Sequence, residues 1–265
     1  MPRTLECTGC GKSFRKYNTG SFCSGCAKKT QLINLPAVII QLIIIQLGLF
    51  NAGKLVQTNR RCRQAFTLEF FNQMTSSQVQ NWSQVLVRCS ELFNIPFWKI
   101  ERTSQGIEAA VAGPQLTFKG NDHHYSQATA FALSESTPEF QFVINQRPIS
   151  GVHFGCSAVG RRWQISINQE FVWGTKIHIN SYFHGDSNST ELKIPAALFN
   201  DRLEGMGRDN FRIREGQVYK LSANFQTGNM EVYINGTLLT TAPLDLFKGM
   251  HFFVELPGET EIMAL

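Results

Sequence analysis

His178, Asn180 and Tyr182 occupy every second position of the run Ile177-His178-Ile179-Asn180-Ser181-Tyr182-Phe183. Side chains of a strand alternate between faces, so a strand here sets these three in one row and turns Ile177, Ile179 and Ser181 the other way. An imidazole beside a carboxamide offers donors and acceptors together, which suits a polyhydroxylated ligand such as a sugar. The competing reading is the water-facing side of an ordinary antiparallel strand. Four cysteines form a second group: Cys7-x-x-Cys10 and Cys23-x-x-Cys26. Each turn of this type presents two thiolates on one side, and two such turns complete a tetrahedral structural zinc site. Lys12, Arg15, Lys16, Lys28 and Lys29 offset the thiolate charge. Two disulfides, or redox-active Cys-x-x-Cys pairs, are the alternative. A closed four-cysteine site has no open position for substrate, so a zinc ribbon here implies scaffolding and not catalysis.

Charge and composition narrow the partners. The chain of 265 residues carries a net charge of +5 and is 43% hydrophobic, enough for one large domain or two smaller ones. Its basic residues do not gather into one stripe, so nucleic acid is not indicated. Seven cysteines are an odd number, which excludes a fully paired disulfide scaffold. The many Phe and β-branched residues favour strands.

The elements needed to position these groups fall into four segments. Residues 1–30 hold the cysteine module. Residues 32–50 are an uncharged apolar run rich in Ile and Leu, with Pro36 near its start. As a helix rising about 1.5 Å per residue it roughly matches a hydrocarbon core of about 30 Å, which admits a membrane as partner; buried strands or a core helix are the alternative. The basic residues flanking the run nearly cancel under the positive-inside rule. Thiolate zinc favours the N-terminal side in a reducing compartment, and three glycosylation sequons, at Asn81, Asn188 and Asn235, follow the run. Were the far side lumenal, Cys62 and Cys89 would be free to pair, leaving Cys156.

Residues 51–143 read as a mixed α/β region. Phe66-Thr-Leu-Glu-Phe-Phe opens a strand or a helix. A helix is expected over Gln78 to Phe93, with Val79, Trp82, Val85, Leu86, Cys89, Leu92 and Phe93 as its apolar stripe. Strand-like pieces follow at Phe97 to Arg102, Gly106 to Ala112 and Leu116 to Lys119. His123 and His124 read as solvated loop residues.

Residues 144–265 show the period of two expected of an antiparallel β-sandwich. Trp163, Ile165 and Ile167 alternate with Gln164, Ser166 and Asn168, and Leu221-x-Ala223-x-Phe225, Met230-x-Val232-x-Ile234 and Phe252-x-Val254-x-Leu256 repeat the pattern. The order of His178-x-Asn180, His184-Gly-Asp186-x-Asn188, Phe211-x-Ile213-x-x-Gly216-Gln217 and Val232-Tyr-Ile-Asn-Gly236, from about Asn145 to Leu265, resembles the galectin carbohydrate-recognition domain. That resemblance implies a mainly β chain: a galectin-like, concanavalin-type antiparallel sandwich preceded by the ribbon, the apolar segment and the mixed region. It also implies a galactoside-containing glycan as ligand, with His178 and Asn180 on an axial hydroxyl, Lys193 at the place of an Asn, and Arg208 matching a later Arg. The Pro-Arg that should follow is Ser181-Tyr182, leaving Tyr182 as a stacking surface, and no Trp follows Trp173. Leu203 stands nearest the place of the stacking tryptophan, and Glu204 and Asp209 nearest that of a Glu. No nucleophile–base pair, phosphate loop or open metal site is present in the sequence, so no enzyme is expected. A lectin and a protein-interaction module that has lost sugar binding both remain open.

Overall fold

The computed structural model of the protein describes residues 4–6, 13–15, 37, 40–41, 64–93, 95–120, 124–146, 148, 150–170, 174–203 and 208–265. The chain divides into two compact units, residues 1–79 and 80–265.

In the first unit, β1 (Thr4–Glu6) pairs antiparallel with β2 (Ser13–Arg15). The four cysteines Cys7, Cys10, Cys23 and Cys26 lie outside the described residues. So does most of the apolar run. Of its described residues, Ile40 is buried and Gln41 Nε2 donates to the Ala65 carbonyl at 3.1 Å. Among the described residues no helix is long and apolar enough to cross a membrane. The Phe66 segment opens a helix, α1 (Leu68–Thr75), because the Thr67 hydroxyl caps it by accepting from Phe70 N at 3.2 Å.

The second unit is a β-sandwich with one helix on it. The helix α2 (Trp82–Phe93) begins after Asn81, whose Oδ1 accepts from Gln84 N at 3.1 Å and whose amide reaches Glu139. Its buried face overlaps the expected stripe only at Val85. Ser83, Val85, Val87 and Ser90 are buried, whereas Leu86 is 41% and Leu92 44% exposed. Ser83, Val87 and Ser90 share one side of the helix at spacings of four and three, and small residues there allow close packing; Val87 joins the sandwich core. Cys89 is a free thiol, and Cys62, its conditional partner, lies outside the described residues.

The sandwich strands are β3 (Lys99–Arg102), β4 (Glu108–Ala112), β5 (Gln115–Lys119), β6 (Ser126–Ala132), β7 (Glu139–Gln146), β8 (Gly151–Ala158), β9 (Arg161–Glu170), β10 (Gly174–Phe183), β11 (Asp186–Leu192), β12 (Asp201–Leu203), β13 (Arg208–Asn210), β14 (Val218–Asn224), β15 (Asn229–Ile234), β16 (Thr237–Pro243), β17 (His251–Leu256) and β18 (Thr260–Ala264). One seven-stranded antiparallel sheet runs β11-β10-β9-β8-β17-β6-β3, the other β16-β15-β14-β7-β18-β5-β4. β12 and β13 form a separate hairpin. The chain is therefore mainly β and antiparallel, as expected. Five strands between residues 99 and 146 belong to these two sheets, so the sandwich begins well upstream of the boundary expected at 144.

The core lies between the sheets. Val152, Phe154 and Cys156 of β8, Ile165 and Ile167 of β9, Ile177 of β10 and Phe252 and Val254 of β17 face Phe140, Phe142, Tyr219, Leu221 and Val232. Phe140 and Phe252 stack across the layers at 5.3 Å, and Phe142 meets Phe154 edge-on at 5.6 Å. Burial pushes the Cys156 thiol well above its ordinary range. The alternation that fills this core turns the intervening residues of β8, β9, β10 and β17 to the opposite face, where the candidate site lies.

Candidate functional site

Register assembles the site. His178 on β10 lies between Ser166 of β9 and Glu191 of β11; Asn180 lies between Gln164 and Ser189; Tyr182 lies between Arg162 and Ser187. β10 and β11 turn through His184 and Gly185 with φ of 51° and 109°. Two positive φ values mark the tight turn suited to strand twist, so the His-Gly-Asp motif builds the hairpin that sets this register. His184 N donates to the Gly160 carbonyl at 2.9 Å, tying that turn to its neighbour.

The side chains form a continuous relay. Ser189 Oγ donates to Asn180 Oδ1 at 2.7 Å, and Asn180 Nδ2 donates to Ser166 Oγ at 2.7 Å. Gln164 Nε2 also donates to Ser166 Oγ, and Gln164 Oε1 accepts from Arg162 Nε at 2.8 Å. Arg162, Gln164, Asn180, Tyr182, Asn188 and Ser189 line an open depression of about 290 Å³. Tyr182 is 45% exposed at this depression. Opposite Gln164 on β8 stands Gly155, where a Cβ would lie 2.1 Å from the Trp163 carbonyl oxygen; only glycine fits that close approach.

Arg162 is held from below. Its Nη2 lies 2.5 Å from Glu255 Oε2, and its guanidinium carbon sits 4.3 Å from the centre of the buried Phe253 ring. Arg102 reaches the other Glu255 oxygen at 3.2 Å, and His153 Nδ1 lies 3.6 Å from Oε2. His153 stacks on Tyr125 at 4.0 Å and its Nε2 meets Asn168 Oδ1 at 3.1 Å. Burial works against ionisation of Glu255, but hydrogen bonding from His153 and Arg162 and their charge outweigh it, holding the carboxyl below its ordinary range.

The expected site residues separate. Asn180 and Tyr182 share the first depression. His178, half-buried, lines neither of the two hollows described here. Lys193, just past β11, borders a second hollow of about 500 Å³ with Thr175, Glu191, Phe199, Asp209 and Asn210. Arg208 opens β13 opposite Leu203; the side chains of both, and Glu204 altogether, lie outside the described residues. Arg162, Gln164 and Glu255 were not expected as site residues. The alternation through Trp163, Ile165 and Ile167 already assigned Gln164 an outward direction, but nothing local paired β9 with β17 residues. Among the described residues no cluster of His, Cys, Asp or Glu is arranged to hold a metal.

No protein-family model and no curated protein matches this chain. Among solved structures the chain is similar to the carbohydrate-binding module CBM66 from Bacillus subtilis, with 12% identity and a TM-score of 0.38 over 64% of this chain and 93% of that one. It is similar to a toad ovary galectin in complex with thio-digalactose, with 11% identity and a TM-score of 0.36 over 52% and 98%. It is also similar to an apo Crh5 transglycosylase, with 10% identity and a TM-score of 0.37 over 63% and 75%.

Proposed function

We propose that this chain binds carbohydrate, a galactoside-containing glycan in particular, without transforming it. The observation that carries the reading is the open depression over β9, β10 and β11, where an arginine, three side-chain amides and serine hydroxyls meet an exposed tyrosine. Such a surface offers many donors and acceptors and one aromatic face, as a hydroxylated ring requires. Glu255 and Glu191 do not form a hydrolytic pair. Glu255 and Glu191 belong to one row across the sheet, on β17 and β11, four strands apart. At about 4.8 Å per strand that is roughly 19 Å, whereas glycoside hydrolysis needs two carboxyls about 5–9.5 Å apart.

The full chain on a glycan array and a lactose matrix tests this. Retention on lactose is expected, reduced about tenfold or more in Asn180→Ala and in Tyr182→Ala, since both residues line the depression and each variant removes contacts to ligand. Retention unchanged in both variants, or no glycan bound at all, would refute the reading.

A second reading has its own observation. The Asn180 amide is engaged by Ser166 and Ser189 on both its ends, which reduces its capacity for ligand. A sandwich with that row closed would serve as a protein-interaction module, tethered to the zinc ribbon and to a membrane through residues 32–50. With either reading we place a structural zinc on Cys7, Cys10, Cys23 and Cys26. The β1–β2 pairing supports it, because the connection of that hairpin carries Cys7 and Cys10.

A further inference from the structure

The two seven-stranded sheets have four edge strands, β3, β4, β11 and β16, and three of these are poorly suited to pairing with another chain. β3 is four residues long, carries Lys99, Glu101 and Arg102, and has a bulge between Ile100 and Arg102. β16 has a bulge against β15 and ends in Pro243. β4 is only five residues long. β11 differs. Its seven residues run in unbroken register with β10 and include no proline, lysine or arginine.

The register fixes where the backbone groups of β11 point. Successive residues of an antiparallel strand bond to opposite neighbours. His184 N donates to the Gly160 carbonyl, so the even-numbered residues of β10 bond to β9 and the odd-numbered ones to β11. Phe183, Ser181, Ile179 and Ile177 therefore bond Asp186, Asn188, Thr190 and Leu192. The N–H and C=O groups of Ser187, Ser189 and Glu191 are left pointing away from the sheet. Both faces of the strand are open as well. Ser187, Ser189 and Glu191 are exposed on the side of the depression; Asn188 and Thr190 are exposed on the side where Ile177 and Ile179 meet the core. Among the described residues β11 has a ladder to β10 alone.

We propose that this edge pairs with β11 of a second copy of the chain, antiparallel about a two-fold axis at Ser189. Such a contact places the same strand on both copies, and this strand complements itself in that register. Ser187 stands opposite the partner subunit's Glu191, and Ser189 stands opposite Ser189 of the partner subunit. Each pair exchanges both backbone bonds, so every outward group on both copies is used, which registers centred on Asn188 or Thr190 do not achieve. Asp186 falls opposite the partner's Leu192, so no two carboxylates stand face to face. The two Glu191 side chains lie four residues, about 13 Å, apart along the strands, beyond the screening length of about 8 Å at physiological salt. The partner's Glu191 then stands beside Ser187 at the margin of the depression, which Ser187 and Ser189 line. One strand pair is a small interface, so the dimer dissociates on dilution.

Sedimentation equilibrium of the full chain across a wide range of concentration tests this. The wild type should pass from monomer to dimer. Ser187→Glu sets a carboxylate against each Glu191 and should weaken the dimer about tenfold, since two like-charge pairs are made. Combining it with Glu191→Lys should restore the dimer, because opposite charges then face each other. Ser189→Pro removes an outward N–H that β10 does not use, a place where an edge strand tolerates proline, and should abolish the dimer with the fold retained by circular dichroism. A monomer at every concentration overturns the proposal. So does a dimer that Ser187→Glu leaves intact, or one that the added Glu191→Lys fails to restore. These outcomes do not depend on whether the chain binds sugar.

Discussion

Arg162 shows how one side chain becomes fixed in a site. Its guanidinium meets Glu255, Gln164 and the Phe253 face together, so it enters the depression with little rotamer freedom left to lose. Glu255 is the anchor, and its side chain is only 8% exposed. Its carboxyl titrates lower in the folded protein than in the unfolded chain, so proton uptake favours unfolding. The stabilisation is complete above the ordinary carboxylate range and disappears as pH falls through the depressed folded value. At neutral pH Glu255→Gln is expected to cost about 2 kcal/mol, as for a hydrogen bond to a charged partner. Arg102 contributes little of this, being largely exposed. Urea unfolding across a pH series should show the gap between wild type and variant closing at acid pH. A constant gap would mean that the ion cluster contributes nothing to the folded state's charge preference.

The strands between residues 99 and 146 are not an appendage to the sandwich. β6 pairs with β17 along one sheet, and β7 lies between β14 and β18 in the other. Removing them strips hydrogen-bond partners from three strands and takes away Phe140 and Phe142, both fully buried. Loss of one such phenylalanine alone costs about 3–5 kcal/mol, comparable to the whole stability of many domains. A fragment of residues 144–265 is therefore expected to lack cooperative thermal unfolding, while residues 80–265 keep it. Calorimetry of the two fragments decides this; a sharp transition in the shorter one would contradict the assigned boundary.

The two compact units carry different chemistry. The second presents the polar sheet face, and the first carries the cysteine pairs in its sequence. One zinc per chain is expected by elemental analysis of protein purified under reducing conditions. Substituting Cys7 and Cys10 with Ser should abolish the metal and leave glycan retention unchanged, because the proposed sugar contacts all lie in residues 80–265. Metal-free reduced protein would remove the zinc proposal without touching the lectin reading.

The alternation of Ile177, His178, Ile179 and Asn180 was enough to set one face of β10 toward a core and the other toward the open side of the sheet, since a strand's period of two allows nothing else. The same period exposed the Gln164 and Ser166 face and the β14–β15 hairpin. Helix α2 shows the limit: its large apolar residues predicted one buried side, yet close packing selected Ser83, Val87 and Ser90. Long-range pairing was equally hidden. No local pattern joins Arg162 to Glu255, or brings Thr175 and Asn210 to one hollow, because such contacts depend on which strands become neighbours. Composition and periodicity determined the class of structure and the direction of the side chains along these strands. Tertiary pairing decided which of those side chains share a site, since register across a sheet is a property of strands together and not of any one of them.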